Sequence, residues 1–336
     1  MSSWPIHRAI GAVFGPIVRA RRLIRGPARP SWSSDFEAWT VFLRQCARAA
    51  PYLPIAYQRA LVDGVVPRGH GEGVDRTPER IGSVEAVWIR PAGRAPAGTL
   101  LYLHGGGYTS GSIASHFDLA RRLCLAGGFE VLLPEYRLAP EHAFPAQLED
   151  ALACYRFLLA RGIAAGQIAL AGDSAGGGLV LSTLLALRDA AEPLPAGAAC
   201  LSAWVDLEMT GSTMRENARF DYVTHGALDG SATRFLGNAS RRDPRAAPIH
   251  ADLRGVPPLL LQAGSAEVLL DDSVRLAERA RAAGVDVTLE VWPDMPHAWH
   301  IFAPLLPDGQ RAIERVAEFA NAVTSGSRTA VAATAH

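Results

Sequence analysis

From Ser83 to the C-terminal helix, short apolar runs rich in branched residues alternate with longer segments of helical periodicity. This alternation predicts a mostly parallel sheet, because parallel neighbours need a long crossover between them, usually a helix. Helices then cover both faces of the sheet. The chain is therefore predicted to be an α/β protein. The predicted strands are Val84–Ile89, Thr99–Leu103, Glu130–Leu133, Gln167–Ala171, Ala198–Ser202, Leu259–Gln262 and Val285–Val291.

Two segments interrupt this alternation. Residues 1–80 read as helices and loops, and residues 206–254 are rich in Gly, Asn, Asp and Arg without a clear strand–helix pattern. We expect both segments to form a helical cap over a catalytic core made of residues 81–205 and 255–325. The Thr- and Ala-rich tail, residues 326–336, is expected to be disordered. Helices are predicted at Asp35–Ala50, Ala146–Leu159, Ser273–Ala283 and Gly309–Val323.

Composition narrows the possible functions. The chain has 336 residues, 49% of them hydrophobic, and a formal net charge of zero. This is ordinary for a globular protein with a sizeable core, and it gives no electrostatic reason to expect a nucleic-acid partner. The cysteines form no C-x-x-C pair and no metal-ligand spacing, so we expect single thiols and no metal site. They are Cys46, Cys124, Cys154 and Cys200.

The N-terminal segment Ile6–Ile24 mixes apolar residues with arginines and contains Pro16. It is too short and too charged to span a bilayer, and it lacks the uninterrupted apolar stretch of a signal peptide. The spacing of its apolar residues predicts an amphipathic helix. We favour a helix that covers a pocket, with contact to a membrane surface as the alternative, in a cytoplasmic protein.

The segment Gly172–Gly176 has the pattern G-x-S-x-G between an apolar run and a helical stretch. A sharp strand-to-helix turn places its serine in a strained conformation, and the flanking glycines remove side chains that would clash. Ser174 is therefore the predicted nucleophile. Asp173 beside it is interpreted as a local hydrogen-bond partner.

A second glycine-rich element, His104–Tyr108, follows the predicted strand Thr99–Leu103. Ester hydrolysis passes through an oxyanion, which backbone N–H groups stabilise, and glycines let the backbone approach the substrate. The candidate donors are Gly105, Gly106 and Gly107, together with Ala175 just after the nucleophile. Sequence alone leaves open which two glycines donate, although Gly106 and Gly107 are favoured. A phosphate-binding loop would need a pattern that is missing here.

The base and the acid should follow the nucleophile in the order serine, acid, histidine. His297 lies in a loop just after the last predicted strand, at the sheet edge where α/β proteins build their sites. His300 is the reserve candidate. Glu267 lies in the turn after the strand Leu259–Gln262 and is the predicted acid. Asp271 is the runner-up, because an aspartate at a helix start is usually a cap.

Together these elements resemble the bacterial hormone-sensitive-lipase-like esterases. The matching segments are His104–Tyr108, Tyr136–Glu141, Gly172–Gly176, Gly264–Asp272 and Pro293–His297. The resemblance implies an α/β-hydrolase fold with a helical cap, short- to medium-chain acyl esters as substrates, no cofactor, and homodimers through the last strand. One departure is Glu267, where the family commonly has aspartate. Tyr136–Glu141 is interpreted as structural, with Arg137 or Glu141 in ion pairs.

The sequence therefore predicts a serine carboxylesterase that acts through an acyl-enzyme. A lactone hydrolase, amidase or peptidase could use the same three residues, because the fold does not distinguish them. A binding protein that has lost activity is the alternative from another class. A dehalogenase or epoxide hydrolase would need a carboxylate in place of Ser174.

Overall fold

The computed structural model describes residues 5–66 and 71–325. The tail that we predicted to be disordered, residues 326–336, lies outside the described residues. An eight-stranded sheet forms the centre, with strands β1 (Val74–Ile81), β2 (Val84–Pro91), β3 (Thr99–Leu103), β4 (Glu130–Glu135), β5 (Ile168–Asp173), β6 (Gly197–Leu201), β7 (Leu259–Gly264) and β8 (Val287–Trp292). Their spatial order is β1-β2-β4-β3-β5-β6-β7-β8.

The sheet is mostly parallel, as predicted. Only β2 pairs antiparallel with its neighbours, β1 and β4, and all other pairs are parallel. Helices cover both faces. The helices are α1 (Pro5–Arg25), α2 (Ser34–Ala49), α3 (Ile55–Val65), α4 (Ile113–Gly127), α5 (Ala146–Ala160), α6 (Ala175–Asp189), α7 (Thr213–Glu216), α8 (His225–Leu236), α9 (Leu270–Ala282) and α10 (Pro307–Thr324).

The sheet separates two apolar cores, one on each of its faces. On one face, α4 and α10 pack through residues such as Leu123 and Val316. On the other face, α5, α6 and α9 pack through residues such as Leu158, Leu184 and Leu276. The central strands β3, β5 and β7 are buried along their whole length, which explains why they read as continuous apolar runs.

Strand β1 was not predicted, so the assignment of all of residues 1–80 to helices and loops is wrong at its end. The helices end at Val65 and β1 begins at Val74. Most of β1 is exposed, and it contains Pro78 and several charged residues. An edge strand with solvent on its outer side needs no apolar alternation, and it tolerates proline and charge. Nothing in its sequence therefore indicated a strand.

The strand order changes direction at β3. The next strand in sequence, β4, lies on one side of β3, while β5 lies on the other. Such a switch point opens a crevice at the carboxyl ends of the two strands. In the register of β3 with β5, Leu103 lies opposite Gly172. The glycine-rich loop after β3 and the turn after β5 therefore emerge side by side.

The N-terminal helices form an antiparallel pair on the crevice side of the core. Arg22 of α1 contacts Glu37 near the start of α2, whereas Phe14 contacts Phe42 one turn later, with ring centroids 5.8 Å apart. Helix α2 begins after Ser33, whose hydroxyl accepts the N–H of Phe36. Among the described residues, no helix is both long and apolar enough to cross a membrane.

An ion pair also joins the cap to the core: Arg59 of α3 pairs with Glu141, with 2.6 Å between Nη2 and the carboxylate. Within the core, Arg137 pairs with Asp150 at 2.7 Å and with Glu149 at 3.0 Å. The structural interpretation of Tyr136–Glu141 therefore agrees with these contacts.

Glu37 provides a test of how α1 is held. Its side chain is buried and pairs with both Arg21 and Arg22 of α1. Replacing Glu37 by Gln leaves two arginines without their carboxylate, so we expect a loss of about 1–3 kcal/mol in the free energy of unfolding. Thermal or urea denaturation measures this loss. The matched variant Glu278→Gln, on the exposed face of α9, should unfold like the unmodified protein. Equal stability of the two variants would contradict the assigned role of Glu37.

Candidate active site

Ser174 occupies the turn between β5 and α6. Its backbone has φ 53° and ψ −122°, a region that residues other than glycine rarely adopt. The turn lies directly against β3: a Cβ on Gly176 would come within 2.0 Å of the Leu103 carbonyl oxygen, and one on Gly172 within 2.6 Å of the same atom. Both glycines of the motif are therefore required by the close approach of two backbones.

His297 lies beside this serine. The loop after β8 places its Nε2 atom 2.8 Å from the Ser174 hydroxyl oxygen, which is hydrogen-bond distance. Both side chains are buried. The hydroxyl of Tyr222 donates to the His297 carbonyl at 2.8 Å and fixes the loop from the insertion side. The structure thus brings the predicted nucleophile and base into contact.

Glu267 stands behind His297. Its Oε2 atom is 3.5 Å from Nδ1, and the carboxylate is completely buried. Among the described residues, neither Glu267 carboxylate oxygen nor His297 Nδ1 has a hydrogen-bond partner of ordinary geometry. The carboxylate and the imidazole could therefore satisfy each other at a slightly shorter separation. Burial raises the pKa of Glu267 above its ordinary value, although the nearby imidazole of His297 opposes this.

The two reserve candidates lie elsewhere. Asp271 accepts the backbone N–H of Thr213, in the insertion, at 3.2 Å. His300 is paired with Gln262, with 2.8 Å between Nε2 and Oε1, and burial lowers its pKa to about 3. These partners place Asp271 away from the Nδ1 atom of His297, and His300 away from the Ser174 hydroxyl.

Sequence reasoning missed Asp221. This buried carboxylate comes from the insertion, and it accepts the backbone N–H of Val268 at 2.7 Å and of His297 at 3.3 Å. It therefore ties the loop that carries Glu267 to the loop that carries the histidine. No motif surrounds Asp221 in the sequence, and its position depends on how the insertion folds back over the core.

The glycine-rich loop differs from prediction at one residue. The Gly105 N–H already donates to Asp173 Oδ1 at 3.0 Å, so this amide is engaged within the protein. The same carboxylate accepts the hydroxyl of Tyr102 at 2.7 Å, in agreement with a local role for Asp173. Gly106 and Gly107 instead line the cavity beside the nucleophile. Gly105 is therefore removed from the set of candidate oxyanion donors.

The other glycine positions have physical reasons. Gly106 has φ 117°, and a Cβ there would meet the Ser110 carbonyl oxygen at 2.2 Å. Gly107 has φ 63°, in the left-handed region. Ala175 is the first residue of α6, where the initial N–H groups have no partner within the helix. These three amides are the remaining candidates around the Ser174 hydroxyl.

A cavity of about 260 Å³ opens over Ser174 and His297. One wall comes from α2 and α3 and is mostly apolar, and α8 of the insertion supplies another. The cap prediction thus fits the cavity, except that no described residue of α1 lines it. Cys46 lies in this wall, and all four cysteines are free thiols, as predicted. The apolar wall residues include Leu43, Ala47, Leu61, Val62, Val65 and Phe302.

One group of side chains could in principle ligate a metal. Potential ligand atoms of Asp206, Glu208 and His250 lie within 4.8 Å of one another. However, Asp206 already pairs with Arg275 at 2.8 Å, and Glu208 pairs with Arg242 at 2.9 Å. None of the three ligand residues lines the cavity, so this group belongs to the ion pairs that hold the insertion.

Comparisons with known proteins give a consistent result. A model of the α/β-hydrolase fold family matches residues 100–301. An acetyl-hydrolase of Streptomyces hygroscopicus is 48% identical over 245 residues, which cover 73% of this chain and 82% of the relative. An esterase of Acinetobacter venetianus is 33% identical over 248 residues, with 73% and 82% covered.

Solved structures agree with the sequence relatives. An esterase from the bacterial hormone-sensitive lipase family is 43% identical, with a TM-score of 0.79, and the match covers 85% of this chain and 98% of that one. The esterase EstE5, in crystals soaked with p-nitrophenyl butyrate, is 40% identical with a TM-score of 0.80 and the same coverage. This chain therefore belongs to the α/β-hydrolase fold family, within the group of bacterial hormone-sensitive-lipase-like esterases.

Proposed function

We propose that this protein is a serine carboxylesterase that hydrolyses short- to medium-chain carboxylic esters through an acyl-enzyme. The observation that carries the proposal is the 2.8 Å contact between His297 Nε2 and the Ser174 hydroxyl, with Glu267 behind the imidazole. A hydroxyl, an imidazole and a carboxylate in this order activate a serine for acyl transfer.

The proposed reaction has two steps. Ser174 attacks the ester carbonyl carbon as His297 takes the hydroxyl proton, and the tetrahedral intermediate then collapses. The alcohol leaves with that proton, and the acyl group stays on the serine. Water next attacks the acyl carbon, again giving a proton to His297, and the second collapse returns the proton to Ser174 and releases the acid.

The oxyanion of each tetrahedral intermediate would be held by the N–H groups of Gly106, Gly107 and Ala175. Each such donor typically contributes on the order of 3 kcal/mol to transition-state stabilisation. Asp173 supports this proposal indirectly, because it anchors Gly105 and thereby fixes the start of the loop.

The apolar wall of the cavity supports an acyl chain or an apolar alcohol as the group bound there. The esterase EstE5 was soaked with p-nitrophenyl butyrate, a short-chain ester, and this makes the same compound a suitable first substrate to test here. The relatives named acetyl-hydrolase and esterase favour ester hydrolysis over a lactone hydrolase, an amidase or an inactive binding protein.

We further propose that Asp221 positions the base. It holds the backbone on both sides of the contact between Glu267 and His297 through two N–H groups. Burial raises the pKa of Asp221, whereas the charge of His297 and the N–H donors lower it. A charged carboxylate at this position favours the imidazolium that forms when Ser174 loses its proton.

Assembly and location are also proposals. Strand β8 lies at the edge of the sheet and pairs only with β7 among the described strands, and Val291 on it is 40% exposed. Two copies pairing through β8 would cover this edge. A cytoplasmic location remains our proposal.

If the dimer forms, light scattering in solution should give twice the chain mass, and Val291→Arg should raise the monomer fraction.

The first test of the function removes the nucleophile. Ser174→Ala should lower kcat/KM for p-nitrophenyl acetate and butyrate by at least about 10³-fold. The unmodified protein should hydrolyse these esters faster than matched lactones and anilides, and a fluorophosphonate should label it once per chain. The control Ser83→Ala, in the exposed turn between β1 and β2, should behave as unmodified protein. Full activity of Ser174→Ala would contradict the proposal.

The second test uses pH. Burial, the largest single influence, lowers the pKa of His297, but Glu267, with smaller contributions from Asp221 and Asp173, raises it above its ordinary value of 6.5. Since the base must be neutral to accept a proton, kcat/KM should fall as the pH drops through this raised pKa. The acid limb of the pH profile of kcat/KM should therefore have its midpoint above pH 6.5.

Glu267→Gln should move that limb to lower pH and reduce kcat, because the charge that raises the pKa of His297 is lost. Two further titratable groups near the base stay neutral at these pH values: burial raises the pKa of Tyr222 and lowers that of His300 to about 3. The control is Glu278→Gln, which should leave the profile unchanged. An unshifted limb in Glu267→Gln would show that another group sets the pKa of the base.

The role of Asp221 predicts a distinct pattern. Asp221→Asn should lower kcat by about 10²-fold, since one of the two backbone N–H groups that Asp221 holds then faces an NH2 group instead of an acceptor, and should also shift the acid limb to lower pH. Labelling by a fluorophosphonate after long incubation should remain complete, which shows that the variant is folded. Asp229→Asn, exposed in the same insertion, is the control. A fall in kcat with an unchanged pH profile would indicate a purely structural role.

A further inference from the structure

The exposed large apolar side chains are concentrated in the N-terminal part of the cap. Among the described residues, all of them except Val291 lie between residues 13 and 57. Apolar side chains exposed together on one element mark an interaction surface more often than those scattered singly. They are Val13, Ile17, Leu23, Ile24, Tyr52, Leu53 and Tyr57.

Four of these side chains form what we call the outer stripe of α1: Val13, Ile17, Leu23 and Ile24. Their exposed fractions are 62%, 65%, 89% and 83%. Val13, Ile17 and Ile24 follow the spacing i, i+4, i+11, which places them on one face over about 17 Å of helix. Ile10 and Val18, on the side of the helix that meets the protein, are buried. Helix α1 therefore presents apolar side chains to solvent as well as to the protein.

The charges on α1 have one sign. The helix contains arginines and no aspartate or glutamate. Arg21 and Arg22 turn inward to Glu37. Arg19 and Arg25 are exposed and form no ion pair with any described residue. The outer stripe is thus bordered by two free positive charges.

Three occupants could cover the outer stripe, and the observations favour one of them. The substrate cavity is not among them, because no described residue of α1 lines it. A second copy of α1 in a symmetric contact would bring arginines of both copies together. An anionic lipid surface accepts apolar side chains below its headgroups and attracts arginines at headgroup level.

We propose that α1 docks in the interfacial layer of an anionic lipid bilayer, lying in the membrane plane with its outer stripe inserted and Arg19 and Arg25 at the phosphates. Helix α1 is already folded against α2 through Glu37, so docking requires no ordering of the chain. The docking does not depend on the roles of Ser174, Glu267 and His297, and it can be tested separately from them.

Co-sedimentation of the full chain with vesicles tests the proposal. The protein should bind vesicles of phosphatidylcholine mixed with phosphatidylglycerol, bind pure phosphatidylcholine weakly, and dissociate at high salt. The double variant Ile17→Ser, Ile24→Ser should bind the mixed vesicles at least about tenfold more weakly. Arg19→Gln with Arg25→Gln should lose about thirtyfold on mixed vesicles and little on neutral ones.

Two controls keep the outcome clear. Ala282→Ser makes an apolar-to-serine change at an exposed position of α9, outside both the cap and the edge strand β8, and should bind vesicles as unmodified protein does. All variants should hydrolyse p-nitrophenyl acetate at the unmodified rate without vesicles, so that loss of docking and loss of catalysis are distinguished. The proposal is overturned if the unmodified protein does not co-sediment with anionic vesicles, or if both double variants bind these vesicles as tightly as the unmodified protein does. It is also overturned if the serine substitutions only convert a dimer to a monomer.

Discussion

The direct contact between the backbone of β3 and the turn after β5 underlies the whole site. Gly172 and Gly176 allow the turn to lie against the carbonyl oxygen of Leu103. This contact holds the serine in its strained conformation next to the glycine-rich loop, since that loop begins where β3 ends. Asp173 then joins the two by accepting the N–H of Gly105. Any side chain between these backbones would separate the nucleophile from the amides that are proposed to stabilise its oxyanion.

The sequence predicted those parts of the fold whose physical cause is local. Strands buried on both faces must be apolar throughout, so β3, β5, β6 and β7 were found with bounds close to those observed. The serine turn was found because its glycines are a local steric necessity. Strand β1 was missed because pairing at a solvent-exposed edge imposes no such composition.

The parts of the site that could not be predicted depend on contacts between distant segments. The direction of the Gly105 amide is set by Asp173, a residue far along the chain. The position of Asp221 is set by the fold of the insertion over two loops of the core. Helix α1 was correctly expected to be amphipathic, but periodicity does not tell which of its apolar faces meets protein. In the structure α2 and α3 border the cavity, and α1 packs behind them.

The insertion does more than cover the cavity, because the carboxylate of its Asp221 also binds the backbone of two core loops. In many enzymes an accessory segment can be regarded as a module that selects substrates while a separate core performs the chemistry. Here the segment that roofs the cavity also holds the backbone of His297. A chimera carrying the insertion of a relative would therefore inherit a new pocket together with a new support for its base. On the proposed role of Asp221, changes of specificity through this segment would have to keep this buried acid in place.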